Sequence, residues 1–436
     1  MAALPHPNNH SNSIGAAPVD WGVAPEIVGS IFRKVRADLP HIRRRSRKAE
    51  GSEFQLKQFH SSSFLRGIAK SPIRAITDRA KPGDISFGLG EPDLPTPEVI
   101  RREAMRVIQE ERNGYTLQAG LPALRERVAA DYPHLNLSAD DVIITAGSQE
   151  ALYLALMTLV DEGDEVLIPD PGFVAYPTIT RMARRQPVFY RLPATNNFGF
   201  DLETLKIGIS ARTKVVFCTS PSNPTGRALS RDDLREIANV VAEKAPGAYI
   251  ISDEIYRELY YTTERPASIS EFYPRTIVIS GLSKSMSMTG WRLGWICGDN
   301  DVIKSALVLH GYVTTCASTI SQKAGLSAWT REAQEAVNQH RRIFRERRDH
   351  LLALIGEAGL HCIAPDGAFY IMVDVARYGS SIEIAEAMLQ AGVVTVPGNA
   401  FGREGEGYLR VSFCADLPVL AEGVRRMSAA LKSLKK

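Results

Sequence analysis

One lysine set among serines, in the tract SGLSKSMSMTGWRLGW (280–295), is the first feature of this 436-residue chain with chemical promise. Lys284 follows the apolar run TIVISG (276–281), which reads as a buried strand, and its neighbours are small. Burial there desolvates an ammonium and lowers its pKa, which suits a Schiff-base nucleophile, although a surface amine is the default for any one lysine. Eight residues on, Arg292 lies in a Gly-x-Arg-x-Gly context.

Other polar residues stand where strands end. In ITAGSQEALYLAL (144–156), Gly147, Ser148 and Gln149 separate a strand from a helix, so backbone amides and the helix dipole would make a phosphate cradle; a small-residue turn with no ligand is the alternative. SDEIYREL (252–259) puts Asp253 at a strand end with Tyr256 after it, and the acid could equally be an N-cap. SPSNPTG (220–226) contains Asn223, but Asn-Pro alone is a common turn. GYLRVSFC (407–414) carries Arg410 on an expected strand.

Taken in order, these segments resemble the class I/II aminotransferases, fold-type I enzymes that use pyridoxal 5'-phosphate (PLP), over roughly residues 64–436. The resemblance implies that Lys284 carries PLP as an internal aldimine, with Arg292 and Ser283 on the phosphate, where a guanidinium fork and a hydroxyl suit a dianion. It implies that Asp253 faces the pyridine nitrogen and keeps it protonated, while Asn223 and Tyr256 reach the phenolic O3'. In PDPGFVAYP (169–177) it places Phe173 against the cofactor's face, where relatives often have Trp or Tyr; stacking survives that change. NGYTLQAGLPALRERV (113–128) resembles the segment whose tyrosine crosses to a neighbouring subunit's phosphate, so Tyr115 implies a homodimer with shared sites; a core tyrosine in a turn is the alternative. Arg410 matches the residue that binds the substrate α-carboxylate, and FGLGEPDLPTP (87–97) matches a segment in which Gly90 brings its backbone to that carboxylate.

The elements that must hold these residues alternate. DVIITA (141–146), EVLIP (165–169), KVVFCT (214–219), AYIISDE (248–254) and TIVISG read as short strands. EALYLALMTLV (150–160) and LSRDDLREIANVVAEK (229–244) lie between them with helical periodicity. Such alternation predicts an α/β fold with a mostly parallel sheet covered by helices on both faces, and the resemblance sets its strand number at seven. After residue 315 come a long polar helix pattern (330–359) and two further strands, GAFYIMVDV (367–375) and GYLRVSFC, which look like a smaller α+β domain. The expected division is an N-terminal extension (1–62), a first part of the small domain (63–88), a large PLP-binding domain (89–315) and a C-terminal small domain (316–436).

Residues 1 to about 20 have a composition that resists folding, and Ile27, Ile31, Val35 and Leu39 predict one amphipathic helix ending before Pro40. The run HIRRRSRK (41–48) could meet acidic surfaces but is more often a solvated face. With a net charge of +3, no nucleic-acid partner is implied for the whole chain. No stretch approaches about 18 apolar residues and no leader pattern opens the chain, so neither membrane insertion nor export is expected. The five cysteines are scattered and free of CxxC spacing, which fits a reducing cytoplasm, and no histidine or cysteine spacing predicts a metal site.

The expected reaction is transfer of an amino group from an L-amino acid to a 2-oxo acid by a ping-pong mechanism. A PLP-dependent C–S β-lyase is the alternative, since the same carbanion expels a leaving group from Cβ. A PLP-fold transcription regulator is a third reading, opposed by the lack of a DNA-reading domain.

Overall fold

Short β-branched runs become strands here because neighbouring strands and covering helices bury both their faces. The computed structural model describes Ile68 and residues 70–434. The expected N-terminal helix and the basic run lie outside the described residues, as does nearly all of 1–69.

In chain order the strands are β1 (Ile85–Ser86), β2 (Val142–Thr145), β3 (Glu165–Asp170), β4 (Gln186–Arg191), β5 (Thr213–Thr219), β6 (Tyr249–Asp253), β7 (Thr276–Gly281) and β8 (Gly294–Cys297). Seven of them form one sheet in the order β2-β8-β7-β6-β5-β3-β4. Only β8 runs antiparallel to its neighbours, β2 and β7. Side chains alternate between the two faces. Phe217, Ile251 and Ile277 pack on one side with helix α1 (Ser148–Leu159), whereas Val216 and Ile250 pack on the other with helix α2 (Arg231–Lys244). Ser230 caps α2 in a reciprocal arrangement with Asp233, which fixes where that helix starts.

The remainder holds helix α3 (Asn300–Val313) and the 27-residue helix α4 (Arg331–Glu357), started by the Thr330 side chain accepting from Ala333 N. Then come β9 (His361–Ile363), β10 (Tyr370–Asp374), β11 (Val393–Val394), β12 (Val396–Pro397) and β13 (Tyr408–Ser412). A four-stranded antiparallel sheet is ordered β12-β13-β10-β9. β1 pairs in parallel with β11, joining the segment before residue 89 to the C-terminal part of the chain. This is the fold the resemblance implied: α/β, with a mostly parallel seven-stranded sheet between helices and smaller antiparallel pairing beside it. The described residues form one compact unit. Among the described residues, no helix is long and apolar enough to cross a membrane, and no three His, Cys, Asp or Glu side chains group as metal ligands.

Candidate active site

The carboxyl ends of the parallel strands lie along one edge of the sheet, where ligands bind in open α/β folds. β7 is buried throughout and delivers Lys284 to that edge. Its last residue, Gly281, has no room for a side chain: a Cβ would lie 2.7 Å from Leu293 O. Half-buried Lys284 donates from Nζ to Gly90 O at 2.8 Å, with the Tyr256 and Phe369 rings each 6.0 Å away. Burial pulls its pKa down from the ordinary range to about 8. Gly90 must be glycine, since a Cβ there would stand 1.8 Å from the Tyr370 hydroxyl.

β6 ends at Asp253, which is 4% exposed. Burial pushes its carboxyl up to about 6, against the Tyr176 hydroxyl donating at 2.7 Å and Ile255 N donating at 3.3 Å. Tyr176 is stacked on Phe217 at 4.3 Å and also lies 2.7 Å from Thr219 Oγ1, so its hydroxyl is fixed in place. Among the described residues no side chain forms an ion pair with this dry acid, and the nearby Lys284 lowers its pKa only weakly against burial. Tyr256 is buried one turn on, its hydroxyl 2.8 Å from that of Tyr370, and burial holds its phenol well above the ordinary value. Phe173, half-buried after β3, stands edge-on to Tyr176 at 5.5 Å.

After β2, Gly147 takes φ +84° and opens α1, whose first turn has no side-chain cap. A Cβ on Gly147 would lie 2.4 Å from Arg292 Nη2, so the glycine admits the guanidinium to the helix start. Arg292 is exposed, in the left-handed region at φ 55°, and donates to Thr289 O at 2.9 Å and Ala146 O at 3.2 Å. Uncapped amides, the positive end of a helix and an arginine make an anion site. Ser148 is the first residue of α1 and borders it, Gln149 is exposed, and Ser283 is buried beside Lys284 in the chain.

At the opposite end Arg410, 1% exposed on β13, is held between the rings of Tyr370 (4.3 Å) and Phe401 (4.8 Å). It donates from Nη1 to Asn223 Oδ1 at 2.9 Å and from Nη2 to Gly88 O at 2.5 Å. Both partners are neutral, and Nε has none. A buried guanidinium in that state is prepared for an anion.

The structure therefore brings Lys284, Asp253, Tyr256, Asn223, Arg410 and Gly90 together, with Gly147, Ser148 and Arg292 at the anion end. Tyr115 is apart from them: 87% exposed, it shares a surface cavity with Val308 and Tyr312, which are 63% and 91% exposed. Tyr176 and Tyr370 were given no role in the sequence analysis. Their signal is chemical, because a buried tyrosine hydroxyl needs a partner, but the partner is invisible without the fold.

Residues 82–426 match the family model for aminotransferase class I and II. The chain belongs to that family. This aminotransferase is 37% identical over 362 residues to a probable aspartate aminotransferase of Methanocaldococcus jannaschii, covering 81% of this chain and 94% of the relative. It is 37% identical over 378 residues to an aspartate aminotransferase of Pyrococcus horikoshii, covering 84% and 96%. Among solved structures, Thermus thermophilus aspartate aminotransferase with maleate superposes with a TM-score of 0.81 at 30% identity, covering 86% of this chain and all of that one. It is a transferase of the PLP-dependent, fold-type I group, and these relatives give the C–S lyase reading no support.

The residues present fit that cofactor. A dry acid, an amine of lowered pKa and a glycine-arginine anion cradle are the three complements of a pyridine nitrogen, an aldehyde and a phosphate. If the amine is the attachment point, capture of PLP by cofactor-free protein depends on neutral Lys284. The capture rate is expected to rise about tenfold per pH unit and to level near pH 8, where the lysine titrates. Stopped-flow absorbance checks this; a rate still climbing above pH 9 would mean that another, ordinary lysine reacts.

Proposed function

We propose that this aminotransferase carries PLP on Lys284 and moves the amino group of an L-amino acid to a 2-oxo acid in two half-reactions, by a ping-pong mechanism. One observation supports it above the others. Lys284 Nζ donates to Gly90 O while Arg410 Nη2 donates to Gly88 O, so the amine and the carboxylate fork meet on a single three-residue stretch.

When bound, PLP supplies a conjugated ring that withdraws the electron pair left at the substrate Cα. The chain's own residues do the rest. Asp253, an anion once a cation faces it, holds the proton at the ring nitrogen. Asn223, whose Oδ1 is taken by Arg410, would offer its amide nitrogen to O3', and Tyr256 would offer its hydroxyl to the same atom. Gly147, Ser148, Gln149, Ser283 and Arg292 would hold the phosphate, and Phe173 would lie against the ring. Arg410 and the Gly90 backbone fix the substrate carboxylate, which sets the bond at Cα that stands over the ring. Lys284 Nζ is then the base that takes the Cα proton.

We assign Tyr115 to the phosphate of a partner subunit in a homodimer, because a tyrosine so exposed, flanked by Val308 and Tyr312, forms an apolar patch suited to a second copy. The division at residues 89 and 316 into a large and a small domain belongs to the same proposal. Five cysteines, all free, accord with a cytoplasmic enzyme. L-Aspartate is the first donor to test, after the names of the relatives.

With loaded enzyme and L-aspartate but no 2-oxo acid, one equivalent of product per site is expected, followed by arrest until 2-oxoglutarate is added. Continuous release of a thiol, pyruvate and ammonia from an S-substituted L-cysteine without an acceptor would overturn transamination in favour of lyase chemistry.

A further inference from the structure

The segment from Phe87 to Pro97 has no regular structure, yet it accepts the hydrogen bonds of both Arg410 and Lys284. Something must hold it. At one end Ser412 N, at the end of β13, donates to Phe87 O at 2.8 Å. At the other, Arg347 of α4 grips Asp93 with both arms of its guanidinium, Nη1 to Oδ1 at 2.7 Å and Nη2 to Oδ2 at 2.8 Å. The same Nη2 reaches Asp416 Oδ1 at 3.0 Å, just beyond β13.

This grip is built from one face of α4. Phe344 precedes Arg347 by a helical turn, the two therefore pointing the same way. Its ring packs 5.6 Å from Phe369, which lies against Lys284 Nζ, and 6.4 Å from Phe413, which follows β13. The Arg347 side chain is 5% exposed and Asp93 is 32% exposed, so their two-point bond is largely sheltered from water; Asp416 is 80% exposed and contributes less.

We propose that Arg347 is a positioning residue: by clamping Asp93 beside the end of β13, it fixes the Gly88–Gly90 backbone between Arg410 and Lys284 and so sets the geometry of the substrate-carboxylate subsite. This rests on the reading that Arg410 and Gly90 bind the substrate carboxylate. The Arg347–Asp93 bond itself does not involve Gly147, Arg292 or Asp253, although Glu91 of the same segment accepts from Thr289, whose carbonyl oxygen accepts from Arg292. Loosening it therefore changes how substrate is held more than it changes cofactor capture, because the Glu91–Thr289 and Thr96–Ser287 bonds still tie the segment to the loop that carries Arg292.

The experiment compares Arg347→Lys, Asp93→Asn and Asp416→Asn with the parent enzyme. Arg347→Lys keeps the charge but cannot form the two-point bond. It and Asp93→Asn are each expected to raise KM for both the amino donor and the 2-oxo acid about tenfold, with kcat and PLP affinity within about threefold. Asp416→Asn is expected to change KM less than about twofold. Hydrogen exchange of the 88–93 amides in cofactor-free protein, which needs no substrate, is expected to speed up about tenfold in the first two variants only. Thermal destabilisation with unchanged KM and unchanged exchange in 88–93, or loss of PLP affinity in step with KM, would overturn the clamp. If Arg347→Lys does not fold, Asp93→Asn decides. If the parent enzyme proves not to transaminate, the assigned function fails, and the exchange measurement still judges the clamp by itself.

Discussion

Lys284→Ala is expected to lower turnover by about 10⁴-fold or more, because it removes both the attachment point and the base at Cα. The variant should still fold. Nζ makes one hydrogen bond, to Gly90 O, and its burial costs the charged form free energy, so a smaller neutral side chain relieves that cost while losing some packing against Tyr256 and Phe369. PLP should still bind through its phosphate, but its absorbance should be that of a free aldehyde. Added methylamine is expected to restore part of the rate. Steady-state turnover within tenfold of the parent enzyme would remove Lys284 from the mechanism.

Asp253→Ala carries the second-largest expected effect. The carboxylate is placed to hold a proton at the ring nitrogen in a dry setting, where an oriented charge is worth more than in water. Removing it is expected to lower kcat by about 10²–10³-fold. The loss should fall in kcat more than in KM, because Asp253 does not reach the substrate carboxylate, which Arg410 governs. Tyr176→Phe, which deletes one of the hydrogen bonds to that carboxylate, should cost much less. A kcat within about threefold of the parent for Asp253→Ala would show that the acid has only a structural part.

Much of this site was legible because each residue sits in a short local motif at a strand end. Lys284, Asn223 and Gly147 follow β7, β5 and β2, Asp253 ends β6, and the alternation of apolar runs with amphipathic helices located those four strands together with β3. β4 and β8 were not read. β4 is an edge strand in which exposed residues interrupt the buried ones, and β8 is a four-residue strand, Gly-Trp-Ile-Cys, that begins within the last two residues of the lysine tract. Their number was supplied by the resemblance and not by the pattern.

What sequence could not show are the pairs made by distant segments. Tyr176 and Asp253 are 77 positions apart, and Arg347 and Asp93 are 254 apart. In the sequence, Tyr370 is simply an aromatic within a buried strand, and Arg347 is one of many arginines on a polar helix. Only folding places the Tyr370 hydroxyl so close to Gly90 that any side chain there would collide with it. Local chemistry writes the motifs, and the packing of α4 and β10 against the Gly88–Asp93 segment assigns the partners.

The central claim is that the Lys284 amine holds PLP covalently. Loaded enzyme reduced with borohydride, digested and analysed by mass spectrometry is predicted to carry the phosphopyridoxyl group on the peptide containing Lys284 and on no other lysine. Recovery of that peptide unmodified, with the label elsewhere or absent, would contradict the account.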